Sequence, residues 1–299
     1  MAVSIAAISL FIFITINVPI AIGLAASTLL YFIISNQLPI MIVAQRMIGA
    51  VESVPLLAIP FFVTLGTLMN YSGISKRVMN FAEILTGHMI GGLAQVNVLL
   101  STLMGGLSAS NLADAAMQSK ILVPEMVRFG YSKEFSAAVT AASSLITPII
   151  PPGIGLIVYG FIANVSIGKM FMAGIIPGIL MCIAQMMAVH VVSKKRGYRP
   201  TREKRASLRE VFVAFKDAAW ALTLVIVIIG GVRAGVFTPT EAGAIAVAYT
   251  VIIGAFVYRD LKAKDIYKAI VEAVQSTGSI MLIIMAASAF AWVLTWEGV

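Results

Sequence analysis

Long apolar runs are the feature that most restricts the fold of this chain. Residues 2–35 contain no charged side chain, and runs of similar character cover 54–72, 169–193 and 241–258. Only 11% of the 299 residues are charged, against about 25% in a soluble globular domain. A helix needs about 20 mostly apolar residues to cross a bilayer, whereas a membrane β-barrel shows short alternating segments. The chain is therefore predicted to be an all-α polytopic membrane protein.

The apolar runs predict an order of membrane segments. Residues 2–35 form two short spans separated at Asn17 to Pro19, because a proline disfavours the α conformation in the residue before it. The segment 38–53 resembles an interfacial amphipathic helix. Further spans are predicted at 54–72, at 132–163 with a break at Pro148, Pro151 and Pro152, at 169–193, 218–234 and 241–258, and from 277 onwards.

Residues 91–126 differ from the other apolar segments, because they carry Asp114 and Lys120 at what would be membrane depth. Each half of this segment is short for a span of about 20 residues. Two half-helices that meet at 105–111, where glycines let the backbone turn, would form a re-entrant hairpin, whose non-helical tip must be covered by protein or water. Two ordinary spans joined by a polar loop are the alternative.

Charge distribution and an internal repeat support the hairpin. Nine of the 21 basic residues lie in 194–216, which predicts a cytoplasmic loop and, counting spans backwards, an amino terminus on the periplasmic side. Val18-Pro19 corresponds to Thr238-Pro239, and the same order of elements follows in both copies. The copies begin on opposite sides, which predicts the inverted-topology repeats typical of secondary transporters. Divergent copies of an ordinary helical scaffold are the alternative.

The second repeat stops at Val299, before a second hairpin and a second broken span could form. The second hairpin is therefore missing, and the chain is expected to be a truncated fragment that is not competent as it stands. Four domains are predicted: 1–90 (scaffold spans and arm helix), 91–163 (hairpin and broken span), 164–217 (connecting span and basic loop) and 218–299 (incomplete second scaffold).

The hairpin tip is the first candidate binding element. Ser108, Ser110 and Asn111 offer short oxygen ligands, and Asp114 follows in the first turn of the next arm. Several oxygens with one carboxylate suit a sodium ion at membrane depth. Capping of a half-helix by Ser110 or Asn111 is the alternative use of these side chains.

The broken span is the second candidate element. Its hydroxyl residues share one helix face at spacings i, i+3, i+4 and i+7, and they are Thr140, Ser143, Ser144 and Thr147. The prolines that follow remove amide donors and so free carbonyls around 145–149, as in the discontinuous helices of transporters. Close helix packing through small hydroxyl residues beside a proline kink is the alternative.

Five motifs resemble those of one family. They are Ser108-Ala-Ser-Asn-Leu-Ala-Asp114, Ile121-Leu-Val-Pro-Glu-Met, Gly130-Tyr-Ser-Lys-Glu-Phe, Thr140-Ala-Ala-Ser-Ser144 and Pro148-Ile-Ile-Pro-Pro152. The family is the large membrane subunit of the tripartite ATP-independent periplasmic (TRAP) transporters. The resemblance implies an elevator-type, sodium-driven importer of a carboxylate or sugar acid in the bacterial inner membrane. It also implies a small four-helix membrane subunit and a periplasmic binding protein as partners, with sodium as coupling ion and no cofactor.

The resemblance, carried over by position to the hairpin tip and the break, and the residue patterns above together predict two overlapping sets of ligands. The cation set is Ser108, Ser110, Asn111, Asp114, Thr147, Ile149 and Pro152. The substrate set is Ser108, Ser143, Ser144, Pro151 and Gly153. Thr147 and Gly153 depart from the glycine and the serine that usually flank the Pro-Ile-Ile-Pro-Pro run in this family.

Other functions lack the residues that they need. The only cysteine and histidines are Cys182, His88 and His190, too few for a zinc site of the Cys/His kind or a disulfide framework. No phosphate-binding glycine loop occurs, which leaves an ion gradient as the energy source. A proton on Asp114 or Glu83 is the alternative to sodium.

Other classes of protein differ from a transporter in features that can be recognised. An intramembrane hydrolase is disfavoured because neither histidine lies near the serine clusters. A passive channel would show flux without sodium coupling. Nucleic acid is not an expected partner, because the basic residues cluster in one loop between apolar runs. The lipid bilayer is an expected partner.

Overall fold

A computed structural model describes residues 2–36, 38–108 and 110–299, and over these residues the chain is helical with no strand. The α-helices are α1 (Ala2–Thr15), α2 (Ile20–Ser35), α3 (Met41–Val51), α4 (Ala58–Tyr71), α5 (Ile74–Thr86), α6 (Gly92–Ser108), α7 (Asn111–Arg128), α8 (Lys133–Ser144), α9 (Ile154–Ile162), α10 (Ile167–Arg196), α11 (Leu208–Arg233), α12 (Pro239–Ile252) and α13 (Ala263–Trp296). A 3₁₀ helix, Val54–Leu57, precedes α4, and a π-helical turn, Ile253–Val257, follows α12. The predicted all-α fold is confirmed.

Within the described residues, five helical segments are long and apolar enough to cross a membrane. They are Val54–Tyr71, Ile167–Arg196, Leu208–Arg233, Pro239–Val257 and Ala263–Trp296. The helices α1, α2, α3 and α6 are apolar but shorter. Asn17 lies between α1 and α2 with a left-handed φ of 63°, which confirms the predicted turn before Pro19. These features agree with a polytopic membrane protein.

The last helix differs from its prediction. α13 is one helix of 34 residues, whereas we predicted an interfacial helix followed by a separate span from 277. In the first repeat, α3 ends at Val51 shortly before Pro55, and a proline lacks the N–H that a continuing helix would use. The corresponding position in the second repeat is Gly278, which a helix tolerates. The two helical elements of this repeat are therefore fused.

The basic connection is shorter than predicted. α10 continues to Arg196 and ends at Gly197 with a left-handed φ of 71°. α11 begins at Leu208, ten residues before the predicted 218, because Ser207 and Glu210 form a capping box. Only residues 197–207 are non-helical, so part of the basic sequence lies on helix ends.

The helices divide between two compact units. The first contains the residues up to Leu56 together with Val274–Val299. Its buried core includes Tyr31, Phe32, Val43, Ala289 and Val293, and the ring of Trp292 stacks on Phe32 with 6.1 Å between the centroids. The Tyr31 hydroxyl donates to the Glu297 carboxylate, which ties α2 to the end of α13.

The second unit, Leu57–Ala273, contains the hairpin and the broken helix. α4 packs along α12 where Gly243 permits a close approach, since an added Cβ would lie 2.9 Å from the Phe61 Cβ. A second apolar cluster joins α6, α8 and α10 through Val98, Val139 and Cys182. These helices therefore form the frame that holds the candidate site.

An ion pair joins the first turn of α5 to the connection before α13. Arg77 donates to Asp260 Oδ2 at 2.7 Å and to the Gly73 carbonyl at 3.0 Å, and its guanidinium lies 3.8 Å from the Tyr258 ring centroid. The Arg77 and Asp260 side chains are 28% and 49% exposed. The pair thus combines a screened charge interaction with a cation–π contact.

We expect Arg77→Ala to lower the free energy of unfolding by about 1 kcal/mol, because the exposed pair and the ring contact each contribute a fraction of that amount. The measurement is thermal unfolding of the purified protein in detergent at low and high salt. The exposed neighbour Lys76 forms no ion pair among the described residues, so Lys76→Ala is the control. Equal effects of both substitutions would contradict a specific role for Arg77.

Candidate functional site

α6 and α7 form a helical hairpin whose arms face each other through polar side chains. Ser101 on α6 accepts a hydrogen bond from Gln118 Nε2 on α7 at 2.6 Å and donates one to Asp114 Oδ2 at 2.7 Å. Ser110 caps α7 by accepting from the Ala113 N–H at 3.4 Å. The predicted pair of short arms is therefore present in the structure.

The two arms of the hairpin meet within the predicted interval 105–111, since α6 ends at Ser108 and α7 begins at Asn111. Gly105 and Gly106 were expected to let the backbone turn, but α6 continues through both to Ser108, so that expectation is wrong. An added Cβ on Gly105 would lie 2.8 Å from the Ile150 Cβ, and one on Gly106 would lie 2.6 Å from Val225 Cγ1. The glycines therefore permit close packing of α6 against the broken segment and α11.

A buried carboxylate is the chemical centre of the hairpin. Asp114 is 1% exposed, and its Oδ2 accepts hydrogen bonds from Ser101 Oγ at 2.7 Å and Thr147 Oγ1 at 2.8 Å. Its Oδ1 has no hydrogen-bond partner within the described part of the chain. The two ion pairs among the described residues, Arg77–Asp260 and Arg202–Glu210, do not involve Asp114.

This arrangement restricts the charge state of the site. Burying an isolated carboxylate is costly unless a cation pairs with it or it binds a proton. Gln118 Oε1 and Ser108 Oγ on the same hairpin are also buried without a partner, so acceptor oxygens in this region are unused. Bare acceptors and a carboxylate suit a hard monovalent cation or a proton.

The broken helix contributes Thr147 to this centre. α8 ends at Ser144 and α9 begins at Ile154, so the predicted discontinuity is confirmed. Thr147 Oγ1 lies 3.2 Å from the Ser101 carbonyl oxygen as well as contacting Asp114. Within the predicted range 145–149, the Ile146 carbonyl accepts from the N–H groups of Ile149 and Ile150. The carbonyl oxygens of 147–149 accept no backbone hydrogen bond from the described residues, in keeping with the predicted freeing of carbonyls.

The other predicted cation ligands lie at different places. The Ile149 carbonyl oxygen lies against Gly174 of α10, where an added Cβ would clash with it. Pro152 is buried and has no N–H with which to contact Asp114. Ser110 caps α7, and Asn111 Oδ1 accepts from the Leu112 N–H at 2.9 Å. The structure thus brings together Asp114 and Thr147 from the cation set, and their role as ligands stays a prediction.

The predicted hydroxyl stripe runs along α8 as far as Ser144 and is buried in protein, whereas Thr147 lies beyond the end of the helix. Thr140, Ser143, Ser144 and Thr147 are all buried. Ser143 Oγ donates to Asn97 Oδ1 at 2.6 Å, and Asn97 Nδ2 donates to Thr140 Oγ1 at 2.8 Å. The first two hydroxyls therefore join α8 to α6, and Ser144 donates to the Ala141 carbonyl within its own helix.

The remaining members of the predicted substrate set lie around the break and the hairpin tip. Pro151 and Gly153 are buried, and an added Cβ on Gly153 would meet the Pro148 carbonyl oxygen. Ser108 is buried at the end of α6, and its carbonyl oxygen lies against Gly66 of α4. Their assignment to a substrate stays a prediction.

Three side chains of the centre were not predicted. Asn97, Ser101 and Gln118 are each fully buried and each form a hydrogen bond between helices. The spacing i, i+4 of Asn97 and Ser101, which continues to Gly105, is a polar stripe that could have identified the α6 face. Glu83, the alternative proton carrier, lines a cavity of about 600 Å³ with Lys76 and Arg77 rather than the Asp114 centre.

The hairpin exit is held by the basic connection. The Ser132 N–H donates to the Tyr198 hydroxyl at 3.1 Å, and the rings of Tyr131 and Tyr198 lie 4.3 Å apart. Arg196 lies 5.5 Å over the Phe135 ring. Burial raises the pKa of Tyr131 to about 12, so this phenol is neutral at physiological pH.

Comparison with known proteins identifies the family. The family described as "Tripartite ATP-independent periplasmic transporter, DctM component" matches residues 7–299. The chain is 40% identical over 284 residues to the sialic acid TRAP transporter permease protein of Haemophilus influenzae (strain 86-028NP), which covers 95% of this chain and 46% of that protein. It is 39% identical over 281 residues to the sialic acid TRAP transporter large permease protein of Vibrio cholerae serotype O1, with 94% and 65% covered.

A third relative is named for another substrate. The chain is 37% identical over 284 residues to the 2,3-diketo-L-gulonate TRAP transporter large permease protein of Escherichia coli (strain K12), covering 94% of this chain and 66% of that protein. The chain thus spans about half to two thirds of the length of these relatives. All three are named as permeases rather than enzymes. With a match over residues 7–299 and the apolar helices described above, the chain belongs to the DctM, or large permease, component family of the TRAP transporters, which are integral membrane proteins.

Proposed function

We propose that the chain takes part in sodium-coupled secondary import of a small organic anion, such as a carboxylate or sugar acid. The single observation that carries this proposal is the buried Asp114, which accepts two hydroxyl hydrogen bonds and has no cationic partner in the described residues. The substrates for which the relatives are named, sialic acid and 2,3-diketo-L-gulonate, support an anionic cargo. A periplasmic binding protein would deliver the anion, and a small four-helix membrane subunit would complete the transporter.

Charge balance gives the coupling a physical basis. An anion and a carboxylate at membrane depth repel each other, and sodium bound at Asp114 would remove that repulsion. In this proposal Asp114 and Thr147, which are in contact, are the main ligands of the cation. The other proposed cation ligands are Ser108, Ser110 and Asn111 at the hairpin tip and Ile149 and Pro152 at the break. Ser108, Ser143, Ser144, Pro151 and Gly153 are the proposed contacts to the anion.

The proposed arrangement in the membrane follows from the basic residues. The connection at 197–207 would lie on the cytoplasmic side of the bacterial inner membrane and the amino terminus on the periplasmic side. The hairpin and the broken helix would belong to the moving domain of an elevator, and inverted repeats would relate them to a second half-site. The close packing of α6 at Gly105 against Ile150 of the broken segment supports movement of the hairpin and the broken helix as a group.

Sodium binding can be tested on the purified chain without its partners. We expect sodium chloride to raise the unfolding temperature above that in choline chloride of equal ionic strength, because a ligand at 100 times its Kd stabilises a protein by about 2.7 kcal/mol. Lithium and potassium chloride test selectivity. Identical unfolding temperatures in sodium and choline would count against the proposed site.

A proton is the second candidate coupling ion, because a lone buried carboxyl is also the group that a proton would occupy. Uptake by a permease that carries this chain, assembled with the small subunit in vesicles and supplied with a binding protein and labelled substrate, distinguishes sodium from the proton. Sodium coupling predicts uptake that needs a sodium gradient at fixed pH. Uptake that is driven by a pH gradient in the absence of sodium would identify the proton as the coupling ion.

A further inference from the structure

A cavity of about 360 Å³ lies where the α5 end meets the α11 start, outside the site described above. It is lined by Ile84, Leu85, His88, Arg205, Ala206 and Val211. His88 and Arg205 form the polar part of this lining, and the other four residues form the aliphatic part. A mixed lining of this kind fits a molecule that has both an anionic group and hydrocarbon.

The polar side of the cavity has unused hydrogen-bonding capacity. His88 Nδ1 is buried and has no hydrogen-bond partner within the described part of the chain. Arg205 is exposed and forms no ion pair there. The adjacent loop is fixed in place, because the N–H groups of Thr201 and Arg202 both donate to the Gly87 carbonyl at 2.8 and 3.0 Å. His88 therefore lies beside a loop that is hydrogen-bonded to Gly87, and no described carboxylate forms an ion pair with Arg205 on that loop.

The aliphatic side continues into a neighbouring cavity. This second cavity, of about 270 Å³, shares Ile84 with the first, and Val213 and Ala214 of α11 extend its aliphatic wall; the rest of its lining is polar and consists of Asn80, Arg209, Glu210 and Asp217. On the first turns of the same helix, Leu208 is 89% exposed and Phe212 is 66% exposed. Large apolar side chains next to arginines at the start of a membrane span are typical of the lipid–water interface.

We propose that this cavity binds one anionic phospholipid, with the headgroup phosphate at Arg205 and His88. The first acyl chain would lie along Ile84, Val213 and Ala214. A soluble phosphate ester would leave the second cavity and the exposed Leu208 and Phe212 without a partner, which is why the lipid is the favoured occupant. Basic pockets between helices at a membrane surface are known to bind lipid headgroups.

The test measures lipids retained by the purified protein in detergent, by native mass spectrometry with added dioleoyl phosphatidylglycerol or dioleoyl phosphatidylcholine. We expect one phosphatidylglycerol to bind preferentially. The double variant His88→Gln/Arg205→Gln should weaken its binding about fivefold or more, since an interfacial arginine contributes roughly that factor. Lys204→Gln is the matched control, because Lys204 is exposed beside Arg205 but does not line the cavity, and it should change binding less than about twofold.

Competition on the unmodified protein tests the same proposal, and a folding defect in the variant cannot affect this result. Inorganic phosphate and glycerol 3-phosphate should fail to displace the bound phosphatidylglycerol, because neither fills the aliphatic cavity. Displacement by either would make a soluble phosphate the ligand and overturn the proposal. Equal retention of phosphatidylcholine, or equal losses with Lys204→Gln, would overturn it as well.

Discussion

Replacing Asp114 by asparagine is expected to reduce sodium-driven uptake by about a hundredfold. The carboxylate accepts hydrogen bonds from Ser101 and Thr147, and a hydrogen bond to a charged group contributes about 1.5–3 kcal/mol. An amide cannot supply the negative charge that the cation needs. The substitution should also abolish the stabilisation by sodium chloride relative to choline chloride. Uptake by the assembled transporter and thermal unfolding of the purified chain measure the two effects.

The control for this prediction is Asp265→Asn. Asp265 Oδ2 accepts from the Lys262 N–H at 3.3 Å at the start of α13, and an asparagine oxygen can replace it. We expect this variant to keep the sodium response. The Asp114→Asn protein should fold as well as the unmodified chain in choline chloride, since a neutral side chain is easier to bury than a charge. Full sodium dependence in the Asp114→Asn protein would remove Asp114 from the site.

Gly66→Ala is expected to lower the free energy of unfolding by about 2–3 kcal/mol, which is the upper range for overpacking. The added methyl group would meet the Ser108 carbonyl oxygen, and the Ser108 Cα would be 3.3 Å away. These are backbone atoms at the hairpin tip, so they cannot move aside as a flexible side chain could. α4 and the tip must separate, which should reduce transport together with stability.

Gly230→Ala is the matched control for Gly66→Ala. Gly230 also lies inside a helix, and an added Cβ there would meet nothing within 4 Å. Alanine lowers the helical free energy by about 0.5–1 kcal/mol relative to glycine, so this variant should unfold at a higher temperature. If the two variants have the same unfolding temperature in detergent, the close approach of α4 to the hairpin does not stabilise the fold.

Much of the fold could be predicted because the bilayer restricts the sequence so strongly. Apolar runs identified most spans, and the short arms of 91–126 identified the helix pair α6 and α7. The three prolines after Ile146 identified the interruption between α8 and α9. Each of these signals is local, since hydropathy and a missing amide donor depend on neighbouring residues only.

The rest depended on packing between distant segments. Nothing near Ser101 in sequence indicates that its hydroxyl would donate a hydrogen bond to Asp114. Gln118 donates to Ser101 only because α7 folds back on α6. Glycines 105 and 106 were assigned to a turn because glycine is common in turns, whereas their packing partners lie at Ile150 and Val225. Helix continuity in α13 depended on the absence of one proline relative to the first repeat.

The hydrogen bonds among Asn97, Thr140 and Ser143 have a mechanical consequence. They lie fully inside the protein and use both ends of the Asn97 amide, so separating α6 from α8 would expose or strand several polar groups at once. Any displacement of one helix along the membrane normal should therefore carry the other with it. The first arm of the hairpin and the first half of the interrupted helix would then travel as one rigid body, and gating would have to occur elsewhere.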